Sequence, residues 1–209
     1  MDYTTVILAR LPQRLVNVAR ELFDGQDPAH DWQHNVRVMA MCERIGQEEG
    51  ADMTILSLAA LLHDIGRAEE RRTGECHAEI SARLAGTLLK EEGLTEAQVK
   101  RVQRAILAHR FRKDRPPATL EEKILFDADK LDSIGAIGVA RAFAYSGFLG
   151  QPIQSDLEQQ HTPLKEFEWK LQRIKGKLFT ETAQQIAEER HRFMVQFFER
   201  WKEEVHGIR

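Results

Sequence analysis

The stretch ADMTILSLAALLHDIG, residues 51–66, constrains the fold of this chain more than any other segment. Ile55, Leu56, Leu58, Leu61 and Leu62 leave little polar face for solvent, so the segment predicts a helix buried on nearly all sides. A helix of that kind needs other helices packed around it. Asp52 is placed to cap its start, and Gly66 is a natural helix-ending residue. His63 and Asp64 then fall in the last turn. A carboxylate beside such an apolar run needs a cation or several hydrogen-bond donors.

The flanking sequence supplies those helices. Val6, Leu8, Leu11, Leu15, Val18 and Leu22 form an amphipathic opening segment, in which Pro12 begins a new turn. After the turn region from Gly25 to Pro28, Val36, Met39 and Ile45 mark a second stripe. HAEISARLAGTLLKEEG predicts a helix ending near Gly93, and Thr95 with Gln98 fits a capping box opening the next. Pro116-Pro117 should interrupt that one. Two shorter helices follow in TLEEKILFDADKLDSIGAIGVARAFAY, then a loop or lid from Ser146 to about Pro163. Phe167, Leu171, Ile174 and Leu178 predict a further helix, and Ile186 to Val205 the last. Its aromatics, Phe197, Phe198 and Trp201, suit a core or a dimer contact. The fold class expected is all-α.

Composition narrows the function. With 42% apolar and 30% charged residues and a net charge of −3, the 209-residue chain reads as an ordinary globular protein without a polybasic surface. A nucleic-acid substrate is therefore disfavoured, because a long basic stripe for tracking phosphates is absent. No apolar run reaches the ~20 residues that span a bilayer, and the N-terminus lacks the pattern of a secretory signal. A cytoplasmic protein is expected, either monomer or homodimer. Cys42 and Cys76 are too few for a disulfide scaffold or a four-thiolate site.

Five polar residues resist a purely structural explanation. His34, Asp64, His77, His109 and Asp129 each lie on a predicted helix or its edge among apolar positions. One buried histidine alone is commonly a satisfied core or capping residue. Five on successive apolar helices point to a metal centre, since facing helices of a bundle build such sites. Imidazole and carboxylate together suit Mn, Fe, Zn or Mg.

The blocks HDWQHNVRV, ALLHDIG and FDADKLDSIGAIG resemble those of small bacterial HD-domain phosphohydrolases. The resemblance covers about residues 20–145, with a family-like helical extension over 164–206. It implies one HD-type helical domain over 1–209. It also implies a divalent cation, Mn or Mg first and Fe, Co, Ni or Zn as alternatives, held by His34, His63, Asp64 and Asp129. His77 and His109 occur where several two-metal families insert two further histidines. They would recruit a second ion, contact phosphate or relay a proton; the resemblance to short single-domain enzymes favours one ion at rest. Asp64, His77, His109 and Lys130 are the expected catalytic residues, and Arg67, Arg110 and Arg141 the expected phosphate contacts. The expected partner is a small, nucleotide-like phosphorylated molecule, and the expected reaction is hydrolysis of its phosphoester or phosphoanhydride bond. Di-iron oxygen chemistry and a non-catalytic regulatory role are the alternatives.

Overall fold

Residues 3–23, 27–110 and 115–208 are described by a computed structural model, with side chains from residue 6 onward. The turn at Gly25 and the basic residues Arg112 and Lys113 lie outside the described residues. Every regular element among the described residues is helical, which bears out the all-α expectation. The helices are α1 (Tyr3–Ala9), α2 (Gln13–Leu22), α3 (Trp32–Glu49), α4 (Met53–Leu62), α5 (Arg67–Thr73), α6 (His77–Glu91), α7 (Glu96–Ala108), α8 (Leu120–Leu131), α9 (Gly135–Phe148), α10 (Pro163–Trp169) and α11 (Glu181–Val205). None of them is long and apolar enough to cross a membrane.

The contacts divide the chain into two compact units, Met1–Gln26 with His30–Asp129, and Asp27–Ala29 with Lys130–Arg209. In the first, α4 packs against both α3 and α7, and α6 packs along α7 and against α5. Local chemistry fixes where these helices begin. Pro12 precedes α2. The Asp52 carboxylate accepts the Thr54 and Ile55 N–H groups at the start of α4, and Thr95 with Gln98 forms the expected capping box on α7. Ile55, Leu56, Leu61 and Leu62 are at most 1% exposed, so α4 is the buried centre that its sequence requires.

Several boundaries differ from expectation: α9 runs on to Phe148, two residues past the expected start of the loop at Ser146, and α4 ends early. α4 stops at Leu62, so His63 is its C-cap residue and Asp64 lies in the following turn. Gly66 does not end that helix in a left-handed conformation. Its φ is −87°, and it is wanted for space: a Cβ there would lie 2.7 Å from the His77 carbonyl oxygen and 2.8 Å from Ile80 Cβ.

In the second unit, α11 packs against α9, and α10 also contacts α9. Phe198 is fully buried and stacks on Phe167, with ring centroids 4.5 Å apart, while Trp201 meets Phe143 edge-on at 4.9 Å. Phe198 therefore belongs to this unit's core, while Phe197 and Trp201 are half-buried beside it. The helix expected through Leu178 breaks after α10. Lys170, at φ −125°, leaves helical geometry, and two short 3₁₀ turns, Leu171–Arg173 and Lys175–Lys177, carry the chain onward. Gly176 has little helix propensity to resist this. Leu171, Ile174 and Leu178 are nevertheless buried, so the apolar spacing predicted burial correctly and helix type incorrectly.

Candidate metal centre

Five helix ends and one turn in the first unit deliver the polar residues to a common point. Asp31 caps α3 by accepting the His34 N–H at 2.9 Å, which fixes the first turn of that helix. One residue on, the Asn35 amide donates to the Leu61 carbonyl at 3.1 Å and ties His34 to the end of α4. The Gly66 N–H donates to Ser81 Oγ at 2.9 Å, drawing the turn that carries Asp64 against the first turns of α6, where His77 sits. His109 caps the C-terminus of α7, and Asp129 lies in the last turn of α8.

Six side chains meet there, all buried. His34, His63 and Asp129 form one set of candidate ligands, and Asp64, His77 and His109 a second. Asp64, a member of the second set, also lies beside the first. Its Oδ2 lies 3.6 Å from His34 Nε2 and 3.6 Å from His63 Nε2, and Asp129 Oδ1 is 3.5 Å from His34 Nε2. Its Oδ1 lies 3.4 Å from His77 Nε2 and 3.4 Å from His109 Nε2, and those two nitrogens are 3.3 Å apart.

The orientation of the rings tests whether a cation fits. His63 Nδ1 is 2.8 Å from the Ala60 carbonyl oxygen, and His109 Nδ1 is 2.5 Å from that of Ile106. A carbonyl only accepts, so Nδ1 carries the proton in both rings. His77 Nδ1 likewise faces the Glu70 carboxylate at 2.8 Å. In each neutral ring the lone pair is left on Nε2, aimed at Asp64. Three acceptor atoms then stand within 3.4 Å of one another around His77, His109 and Asp64 Oδ1. A water proton pair satisfies only two of them. A cation satisfies all three, and a triangle of that size has a point about 2 Å from each corner, the bond length of Zn or Mg ions. His63 Nε2 and Asp64 Oδ1 are buried with no hydrogen-bond partner, as ligands awaiting a cation should be. The donor set fits divalent metal.

The electrostatics agree. Burial pushes His63 down to about 3, against the pull of the Asp64 charge, and His77 down to about 4 for the same reason. Both rings are neutral at pH 7. Burial alone would raise the Asp64 carboxyl, but the Arg67 guanidinium and His63 outweigh it and hold it well below the usual carboxylate range. Arg67 Nε donates to Asp64 Oδ2 at 2.5 Å. That guanidinium, expected at a substrate phosphate, is thus engaged with the central carboxylate.

Arg110 Nη1 lies 3.2 Å from Glu70 Oε1 and 3.0 Å from Cys76 Sγ, with the side chain 38% exposed. Lys130 and Arg141 belong to the second unit, where Arg141 donates to Asp132 at 2.8 Å. The face of Trp32 is covered by Arg20, 5.2 Å from the ring centre, and Phe23 meets it edge-on at 5.9 Å, so this indole packs on α2. His30 lies edge-on to His34 with centroids 5.7 Å apart. Glu79 pairs with Arg115 at 3.2 Å, both side chains well exposed. Cys42 is buried, which raises its thiol pKa and makes it an inert core residue. Sequence reasoning missed Glu70, Asn35 and Ser81. Glu70 sits in the charged run AEERR, which reads as a solvated face, and nothing in its spacing marks it.

Comparison with known proteins agrees with this geometry. The HD domain family matches residues 31–134. YpgQ of Bacillus subtilis is 34% identical over 90% of this chain and 91% of its own length. The chain belongs to the HD-domain superfamily of metal-dependent phosphohydrolases. A predicted HD-superfamily hydrolase from an uncultured Thermotogales bacterium is 36% identical in its crystal structure, with a TM-score of 0.73 over 96% of this chain and 98% of that one. The crystal structure of B. subtilis YpgQ in complex with ADP has a TM-score of 0.76 at 29% identity, covering 94% of this chain and 99% of that one. The activity of this superfamily member is metal-dependent phosphohydrolysis.

Proposed function

We propose that this enzyme hydrolyses a phosphoester or phosphoanhydride bond of a nucleotide at a centre of two divalent ions that share the Asp64 carboxylate. One observation carries the two-ion reading: each Asp64 oxygen completes a separate set of imidazole nitrogens, Oδ2 with His34 and His63, Oδ1 with His77 and His109. His34, His63, Asp129 and Asp64 Oδ2 would hold the first ion, and His77, His109 and Asp64 Oδ1 the second. Such ions, when bound, polarise a phosphoryl oxygen and lower the pKa of a coordinated water.

The chain's own residues do the rest. Backbone carbonyls of Ala60 and Ile106 hold the His63 and His109 rings with Nε2 presented. A phosphate-binding role for His77 is disfavoured, because the neutral ring with Nδ1–H offers phosphate an acceptor and no donor. Arg67 orients Asp64 and offsets its charge. Arg110, partly exposed beside His77 and Glu70, is the guanidinium proposed to meet the substrate phosphates. Four imidazoles among six ligands favour Mn, Fe, Co, Ni or Zn over Mg, and the two carboxylates keep Mn suitable. The nucleotide assignment draws on the ADP-bound relative. We place this chemistry in the cytoplasm, where free thiols such as Cys42 and Cys76 persist.

The test is a panel of nucleoside mono-, di- and triphosphates incubated with Mn-loaded protein and followed by phosphorus NMR. Release of phosphate or pyrophosphate supports the proposal and identifies the bond. No turnover across the panel with metal bound, or oxygen consumption in its place, contradicts it.

A further inference from the structure

α5 is seven residues long and buries none of them, yet it carries two side chains spent on the centre. Arg67 engages Asp64, and three residues later, on the same helix face, Glu70 engages His77. Glu70 makes three polar contacts there. Oε2 lies 2.8 Å from His77 Nδ1, while Oε1 accepts the His77 backbone N–H at 3.2 Å and Arg110 Nη1 at 3.2 Å. The carboxylate therefore grips one histidine at ring and backbone together, and is itself held by a guanidinium. Gly74, in left-handed geometry at φ 77°, ends α5 and lets the chain return to place His77 against it.

The acceptors differ in charge. His63 and His109 present their Nδ1–H groups to neutral backbone carbonyls, whereas His77 presents its own to a carboxylate. A carboxylate behind an imidazole raises its basicity and its strength as a ligand. We propose that Glu70 is a positioning residue that holds His77 as the Nδ1–H tautomer and strengthens the ion site formed by His77, His109 and Asp64. The metal part of this inference rests on the two-ion reading above; the tautomer part does not.

The experiment uses full-length protein labelled with nitrogen-15 in histidine, with Glu70→Ala, Glu70→Gln and the neighbouring Glu69→Ala as the control. Glu69 pairs with exposed Arg72, away from the centre. In metal-free wild type, His77 should show the nitrogen shifts of an Nδ1–H ring. Glu70→Ala should convert it to a tautomer mixture, and Glu70→Gln should restore Nδ1–H, because an amide oxygen still accepts. Manganese titration by calorimetry should show one of two sites weakened about 10–100-fold in Glu70→Ala. Glu70→Gln should weaken that site as well, by less, and Glu69→Ala should leave both sites unchanged. Wild-type His77 shifts retained in Glu70→Ala overturn the tautomer role, and unchanged binding of both ions overturns the metal role. A wild type that takes one ion refutes the two-ion reading and with it the metal role, and leaves the His77 shifts to decide whether Glu70 sets the tautomer.

Discussion

Asp64 is fully buried, and both of its oxygens face imidazole nitrogens, so its charge and its shape are separable by mutation. Asp64→Asn keeps the volume and removes the charge proposed to gather the ions. It should abolish turnover and weaken manganese binding by more than the about 10–100-fold that loss of an outer partner costs, as read by calorimetry and a phosphate-release assay. Asp64→Ala adds a penalty of another kind, because Arg67 is then left without its central partner. Stability measured by denaturant unfolding should fall further for Ala than for Asn, by about 1–3 kcal/mol. At this scale the sequence was informative where a polar residue interrupts an apolar helix, as at His63-Asp64. It was silent where a charged residue sits among other charges. Glu70 in AEERR looks like solvated surface until the turn at Gly66 brings α5 to the centre, and Arg67, expected at a phosphate, proves to be held by Asp64.

The elements were legible wherever a stripe or a cap marked them. Asp52 and the capping box at Thr95 define the starts of α4 and α7, and apolar spacing defines their buried faces. α5 has no apolar stripe and the 3₁₀ turns after α10 mimic one, so periodicity overlooked the first and misjudged the second. What periodicity cannot show is how two elements approach each other. Gly66→Ala tests that approach: the added methyl meets the His77 carbonyl and Ile80, neither of which is a flexible chain end. It should cost about 1–3 kcal/mol of unfolding free energy. It should also reduce activity beyond what the stability loss explains, because it pushes Asp64 away from His77. Asn35→Ala removes the α3–α4 tie at Leu61 and should cost a similar about 1–3 kcal/mol by leaving a buried carbonyl unsatisfied. Circular dichroism melts and residual turnover read both.

For the whole molecule, the centre makes stability depend on pH and on metal. His63 and His77 have pKa values lowered to about 3 and about 4 in the folded chain, below the ordinary value of 6.5. Between those limits the unfolded chain binds protons that the folded chain refuses, so stability is intact above pH 6.5 and falls as pH drops below it. Metal-free protein should therefore lose on the order of 1–2 kcal/mol per histidine between pH 7 and pH 5, seen as a falling Tm. Manganese at about 100 times its Kd should add about 2.7 kcal/mol at pH 7. The sequence motifs carried His34, His63, Asp64 and Asp129 together, but only the folded arrangement shows that Asp64 faces two sets of imidazoles. The direct measurement of that arrangement is metal content per chain, by anaerobic manganese loading, desalting and elemental analysis of wild type, His77→Ala and His109→Ala. Two ions in wild type and one in each variant are the predicted result. One ion in all three would contradict the shared Asp64 centre.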